Sequence, residues 1–227
     1  MTKMEIHVGE DGLCKIFQGK SRRVFHSTGE LVGLALLGIK PEQTNAGTIH
    51  WTDYLAKKGL AFGALGNKAI TLQICPTHKR TITWKIDNRT RELEVEFPNL
   101  LFAIRFVNGS LNKTGIWVIQ PGFEGTLCVT STDARLNYFP YGNVHSTGIV
   151  CWGRIHTTDI REPSEVEEIF FRSGFNEDLW VGSMIGESGN NLPEVVENYR
   201  GKLPLPYNYT KSVASVVQDM VRQQTNS

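Results

Sequence analysis

Glu92-Leu93-Glu94-Val95-Glu96-Phe97 alternates charged and apolar side chains without a break. A period of two puts every second residue on one face, so this run reads as a strand with one face buried and one in water. Just before it, Thr81-Ile82-Thr83-Trp84-Lys85-Ile86 has the β-branched and aromatic content of a second strand, and Asp87-Asn88-Arg89 supplies a turn between them. Pro98 punctuates. Leu100 to Val107 then runs almost entirely apolar, which fits a central strand. Asn108-Gly109-Ser110 is a hairpin signal, because Asn and Gly accept the positive φ of a tight turn. Gly115 to Ile119 and Thr126 to Thr130 continue the series. Residues 69–130 are thus expected to form an antiparallel meander.

Upstream, Glu5-Ile6-His7-Val8, Leu13-Cys14-Lys15-Ile16 and Arg23-Val24-Phe25 are short strand candidates, with short helices expected over Thr28–Leu37 and Trp51–Lys57. Downstream, a Gly/Pro/Asn-rich loop leads through Cys151 into helical patterns. Pro163, Ser164 and Glu167 suggest a capped start, with Val166, Ile169 and Phe170 on one face. Val213, Val216, Val217 and Met220 recur at i, i+3, i+4, i+7 and predict a helix of about four turns packed on the sheet. Strands, then a long loop, then helices give an α+β fold. Residues 1–68 are expected to form an N-terminal strand-rich extension, and residues 69–227 the main domain with its C-terminal helices.

Composition narrows the function classes. Across 227 residues, 24 basic side chains face 23 acidic ones, a balance that argues against a nucleic-acid binder, which needs a basic face. No stretch nears the roughly 20 apolar residues of a membrane span, and Met1-Thr2-Lys3-Met4-Glu5-Ile6 opens without a signal-peptide core, so a cytoplasmic protein with no membrane partner is expected. The four cysteines, Cys14, Cys75, Cys128 and Cys151, would then be free thiols, the first three inside strand-like runs. Cys75 and His78 are metal-ligand types with two residues between them. A zinc site needs three or four ligands, and no second pair has comparable spacing, so no metal and no cofactor is expected.

One segment carries chemistry: Phe139-Pro140-Tyr141-Gly142-Asn143-Val144-His145-Ser146-Thr147-Gly148-Ile149-Val150-Cys151-Trp152-Gly153. Asn143 lies eight residues before Cys151, Gly148 five after Asn143, and an apolar residue precedes the cysteine. This resembles the active-site segment of ubiquitin-conjugating enzymes, where a His-Pro-Asn tripeptide is followed by Gly at the fifth position and the catalytic Cys at the eighth. The wider stretch is more similar to a bacterial branch, family D of the prokaryotic ubiquitin-conjugating-like superfamily, which includes PRTRC system protein B. The residues carrying this are Pro98-Asn99-Leu100-Leu101-Phe102, Phe139 to Val144, Gly148 to Gly153, and Phe170-Phe171-Arg172-Ser173-Gly174-Phe175. Tyr141 and Gly142 stand where the tripeptide has His and Pro, and Asn176-Glu177 where the bacterial family tends to have Thr-His.

The resemblance implies a ubiquitin-conjugating-type fold and a thioester transferase. Cys151 would accept a ubiquitin-like protein from an activating enzyme and pass it to an amine of a target protein. A thiol suits both steps, being nucleophile and leaving group in turn; at a pKa of about 8.5 a few per cent is thiolate at neutral pH. Asn143 would stabilise the oxyanion or pin the loop that does, and Gly148 would let the chain turn. His145 and Asp159 lead the nearby groups that would take a proton from the acceptor, with Tyr141 in the position of the family's His. The alternatives are a non-catalytic scaffold of the same fold, a metal-dependent enzyme and a cysteine hydrolase.

Overall fold

Three antiparallel sheets and three α-helices organise the residues described in the computed structural model, which are 4–8, 14–18, 21–25, 59–65, 68–86, 89–122, 134–207 and 211–221. The first sheet joins β1 (Met4–Val8), β2 (Cys14–Gln18) and β3 (Ser21–Phe25) in sequence order. The second has six strands: β4 (Gly59–Leu65), β5 (Lys68–Cys75), β8 (Leu100–Val107), β9 (Ser110–Ile119), β10 (Ala134–Tyr138) and β11 (Lys211–Ser212), in the order β11-β10-β9-β8-β5-β4. The third is a hairpin of β6 (His78–Ile86) and β7 (Arg89–Phe97). Strand β4 lies before residue 68 and pairs with β5 from Leu65↔Lys68 to Gly59↔Gln73, so the six-stranded sheet draws on both stretches of the chain. The helix candidates Thr28–Leu37 and Trp51–Lys57, the strand candidate Thr126–Thr130, and Cys128 fall outside the described residues.

The apolar run of β8 has a direct cause. The strand is central, between β5 and β9, and both faces are covered. Leu100, Phe102, Ile104 and Phe106 enter one core, Leu101 and Ala103 the other. Strands β6 and β7 bury a single face, which carries Ile82 and Trp84 on one strand and Leu93, Val95 and Phe97 on the other, and so keep the clean alternation. The consecutive meander is corrected here. Strand β5 pairs with β8, Cys75 opposite Leu100, and β6–β7 leaves the sheet as an excursion between them. At the corner, Pro76 has no N–H to offer a ladder. Asn99 Oδ1 instead accepts from the backbone N–H and the hydroxyl of Thr77.

Helix α1 (Pro163–Arg172) starts two residues earlier than Ser164 and Glu167 suggest. Pro163 takes the first turn, and the Glu165 carboxylate accepts the N–H groups of Arg161 and Glu162. Glu167, expected as a capping residue, is buried instead, against Cys75 and Arg80. Val166 and Phe170 are fully buried, with Ile169 packed beside them. Helix α2 (Leu192–Asn198) is closed by a capping box between Asn191 and Glu194. Helix α3 (Val213–Val221) is nine residues long in the described part, shorter than the four turns expected. Its Val213, Val216, Val217 and Met220 pack on the second face of the six-stranded sheet, as their spacing implies. No helix among the described residues is long and apolar enough to cross a membrane.

Candidate active site

Strand β9 divides its free edge between two partners. Residues 117–119 pair with β10, Tyr138 opposite Trp117. The chain then leaves the edge, loops through 139–147 and returns to the same edge further along. There Ile116 N–H donates to Gly148 O at 2.8 Å, Val150 N–H to Thr114 O at 2.9 Å, and Gly115 stands opposite Ile149. Cys151 is the next residue. The returning segment also closes on the loop itself. His145 N–H donates to Ile149 O at 2.9 Å, Val144 faces Val150, and Cys151 N–H donates to Asn143 O at 2.8 Å. The eight-residue spacing of Asn143 and Cys151 is thus the circumference of a small hairpin that sets their backbones side by side.

Two left-handed residues make that hairpin possible. Gly148 has φ +86°, and a Cβ there would lie 2.5 Å from the Trp117 indole, so the glycine serves both the turn and the close approach. Asn143 has φ +59°, a conformation Asn tolerates better than most side chains. It is only 8% exposed, and its carboxamide N–H groups donate to Ser173 Oγ and to Gly174 O, both at 3.1 Å. Of the two roles expected for Asn143, this geometry is that of the loop pin, with both amide protons engaged.

The acceptors of Asn143 are held in turn. After α1 the chain adds to the β6 hairpin, Phe175 N–H donating to Thr83 O at 2.8 Å and Lys85 N–H to Phe175 O at 2.7 Å. The Phe-Phe-Arg-Ser-Gly-Phe stretch therefore does two jobs. Phe170, Phe171 and Phe175 fill the core around Phe97 and Phe139, and Ser173-Gly174 receives the loop. Trp152 lies half-buried, edge-on to Phe170.

Tyr141 and Gly142 explain each other. Gly142 has φ +103°, which the ring of a proline excludes, and Asn176 O would lie 3.3 Å from a Cβ at that position. Tyr141 is fully buried, edge-on to Phe139 and Phe97, and its hydroxyl donates to Pro204 O at 2.7 Å. Burial pushes that hydroxyl well above the ordinary tyrosine range, so it stays protonated and serves as a donor.

The two described thiols differ sharply. Cys151 is exposed and free; Cys75 is buried, and burial followed by the charge of Glu167 raises its thiol far above the usual range. His145 and Asp159 are exposed, Asp159 in a 3₁₀ turn (Thr157–Asp159) tied to the start of β9 by the bond from Leu111 N–H to Ile160 O, 3.1 Å. Among the described residues, no hydrogen bond joins either side chain to Cys151. Sequence reasoning did not single out Trp117 beneath Gly148, nor Ser173 and Gly174 as partners of Asn143. The second pair lay within a motif already quoted; the first had no local signal.

The family model described as prokaryotic E2 family D matches residues 41–199. The chain belongs to prokaryotic E2 family D. The match covers the whole hairpin from Asn143 to Cys151, α1 and the receiving Ser173-Gly174, and it begins well before residue 68. No curated protein and no solved structure matches the chain. Membership in family D bears out the resemblance read from the sequence. It connects the chain with ubiquitin-like conjugation, in which ubiquitin-like proteins and activating enzymes are the general partners, and the mixed fold built on an antiparallel sheet is compatible with it.

In this family D chain, Tyr141→Phe leaves the Pro204 carbonyl without its donor while keeping the ring. We expect a loss of about 1 kcal/mol in urea unfolding, since the hydroxyl's bond to residue 204 is removed and the ring's packing is kept. A stability equal to wild type would show that this bond does not help to hold the loop.

Proposed function

We propose that this family D protein has the ubiquitin-conjugating fold and carries a ubiquitin-like protein as a thioester on Cys151. The observation that supports this most is the pairing of an exposed, free thiol with a rigid mount. Cys151 ends a hairpin clamped to β9 on one side and, through buried Asn143, to the end of α1 on the other. A rigid mount matters because displacement of a reacting group by about 1 Å can cost about 100-fold in rate.

In the first step the Cys151 thiolate attacks the thioester carbonyl joining the ubiquitin-like C-terminus to the activating enzyme. A new C–S bond forms, and the activating enzyme leaves as its thiolate. In the second step a target amine attacks the same carbonyl, a C–N bond forms, Cys151 leaves as thiolate, and the amine gives up one proton. Asn143 acts by holding the loop. His145 and Asp159, exposed on the segments flanking Cys151, receive the acceptor's proton directly or through water.

Reconstitution with an activating enzyme, a ubiquitin-like protein and ATP tests this. A thiol-sensitive adduct is expected on non-reducing gels, and Cys151→Ala should abolish it. Tight association with no covalent adduct would make the protein a scaffold instead, and release of free ubiquitin-like protein without transfer would make it a hydrolase.

A further inference from the structure

Cys75 closes β5 and His78 opens β6, on either side of the Pro76-Thr77 corner that Asn99 fixes. Glu167, from the middle of α1 and 92 residues away, descends onto the same corner. Cys75 Sγ lies 3.4 Å from Glu167 Oε1 and 3.8 Å from His78 Nε2, the ring nitrogen that keeps its lone pair because Nδ1–H donates to Pro76 O. One ligand atom from each of the three lies within 4.8 Å of the other two. Zinc takes thiolate at about 2.3 Å and imidazole or carboxylate at about 2.0–2.1 Å, so two ligands of a tetrahedral ion stand about 3.5 Å apart. The separations of 3.4 and 3.8 Å lie within a few tenths of an ångström of such an edge. Cys75 and Glu167 are 1% and 6% exposed, which shields such an ion from water.

We propose that Cys75, His78 and Glu167 form a binding site for one divalent cation of the zinc class, with water as the fourth ligand. Arg80 is its built-in competitor. The guanidinium hydrogen-bonds to Glu167 Oε1 and His78 Nε2 and lies 4.3 Å over the Phe171 ring, supplying the positive charge the carboxylate requires. The Arg80 side chain is 30% exposed, so it can turn to solvent without unfolding the corner. Ion binding exchanges one cation for the other and releases the Cys75 thiol proton to the buffer. The ion would fasten the β5–β6 corner to α1, the helix whose end carries Ser173 and Gly174. This inference does not depend on the thioester chemistry.

The test uses the full chain, reduced and stripped with chelator, titrated with cobalt(II) and then zinc(II). One equivalent of cobalt is expected, with a thiolate-to-cobalt charge-transfer band that zinc displaces. Cys75→Ser should remove the band, His78→Asn should weaken binding by more than the roughly 10- to 100-fold typical of losing an outer-shell partner, and Cys151→Ser should leave it intact. Arg80→Gln removes the competing charge and should tighten binding by about tenfold or more, a gain that unfolding cannot imitate. The proposal is overturned if neither wild type nor Arg80→Gln shows the band, or if the band survives Cys75→Ser.

Discussion

Replacing Gly148 with alanine is expected to destabilise the protein by about 2–5 kcal/mol and to reduce charging of Cys151 by about 100-fold. Two costs combine. The residue sits at φ +86°, where an L side chain is strained by about 1–2 kcal/mol. The new methyl would also lie 2.5–2.6 Å from three atoms of the Trp117 indole. Trp117 cannot retreat easily, because it is itself fully buried in the core beneath α3. Overpacking of this kind costs about 1–3 kcal/mol. The strain is relieved most cheaply by lifting the hairpin off β9, which breaks the bonds from Ile116 to Gly148 and from Val150 to Thr114 and carries Cys151 with it. Urea unfolding and adduct formation should therefore fail together. A Gly148→Ala protein with wild-type stability and charging would show that the hairpin does not rest on Trp117 in this way.

The second large effect concerns Asn143, which differs from Gly148 in that two substitutions separate its contributions. Asn143→Ala loses both donors to Ser173 and Gly174 and puts at φ +59° a residue that tolerates that region less well than asparagine, for about 2–4 kcal/mol. Asn143→Gly loses the donors but keeps the backbone conformation freely, so about 1–3 kcal/mol is expected. If Asn143 is a positioning residue, charging and discharge should fall together in both variants, and glycine should recover part of what alanine loses. An oxyanion donor would behave otherwise. The rates would fall by about 100- to 1000-fold, equally for glycine and alanine.

The local patterns of the chain were legible where burial alone decides them. The alternation of Glu92–Phe97 follows from one buried face, the apolar run of Leu100–Val107 from two, and the Val213–Met220 spacing from a helix laid on the sheet. Which strand pairs with which was not legible. The departure of β6–β7 depends on the Pro76 corner and on Asn99, a partner from beyond the hairpin. The start of α1 was misread for a related reason. Ser164 and Glu167 have capping chemistry, yet Pro163 and Glu165 fill those roles because Glu167 is drawn inward by Cys75 and Arg80, contacts 92 and 87 residues distant in sequence. The pairing of Asn143 with Cys151 was not read from their spacing, whereas the turn at Gly148 between them was legible. The direction of the Asn143 side chain was not, since it depends on where α1 ends. Tyr141-Gly142 stands where the ubiquitin-conjugating tripeptide has His-Pro; here φ +103° at Gly142 excludes proline, and the buried Tyr141 hydroxyl is tied to Pro204.

The central claim is that Cys151, and no other thiol of this chain, holds the acyl group. Intact-mass measurement of the reconstituted reaction, followed by peptide mapping under non-reducing conditions, tests it most directly. The expected result is a species heavier by one ubiquitin-like protein less one water, reversed by added thiol and mapped to the peptide containing Cys151. An adduct mapped to Cys14, Cys75 or Cys128, or one of undiminished yield in Cys151→Ala, would contradict the claim.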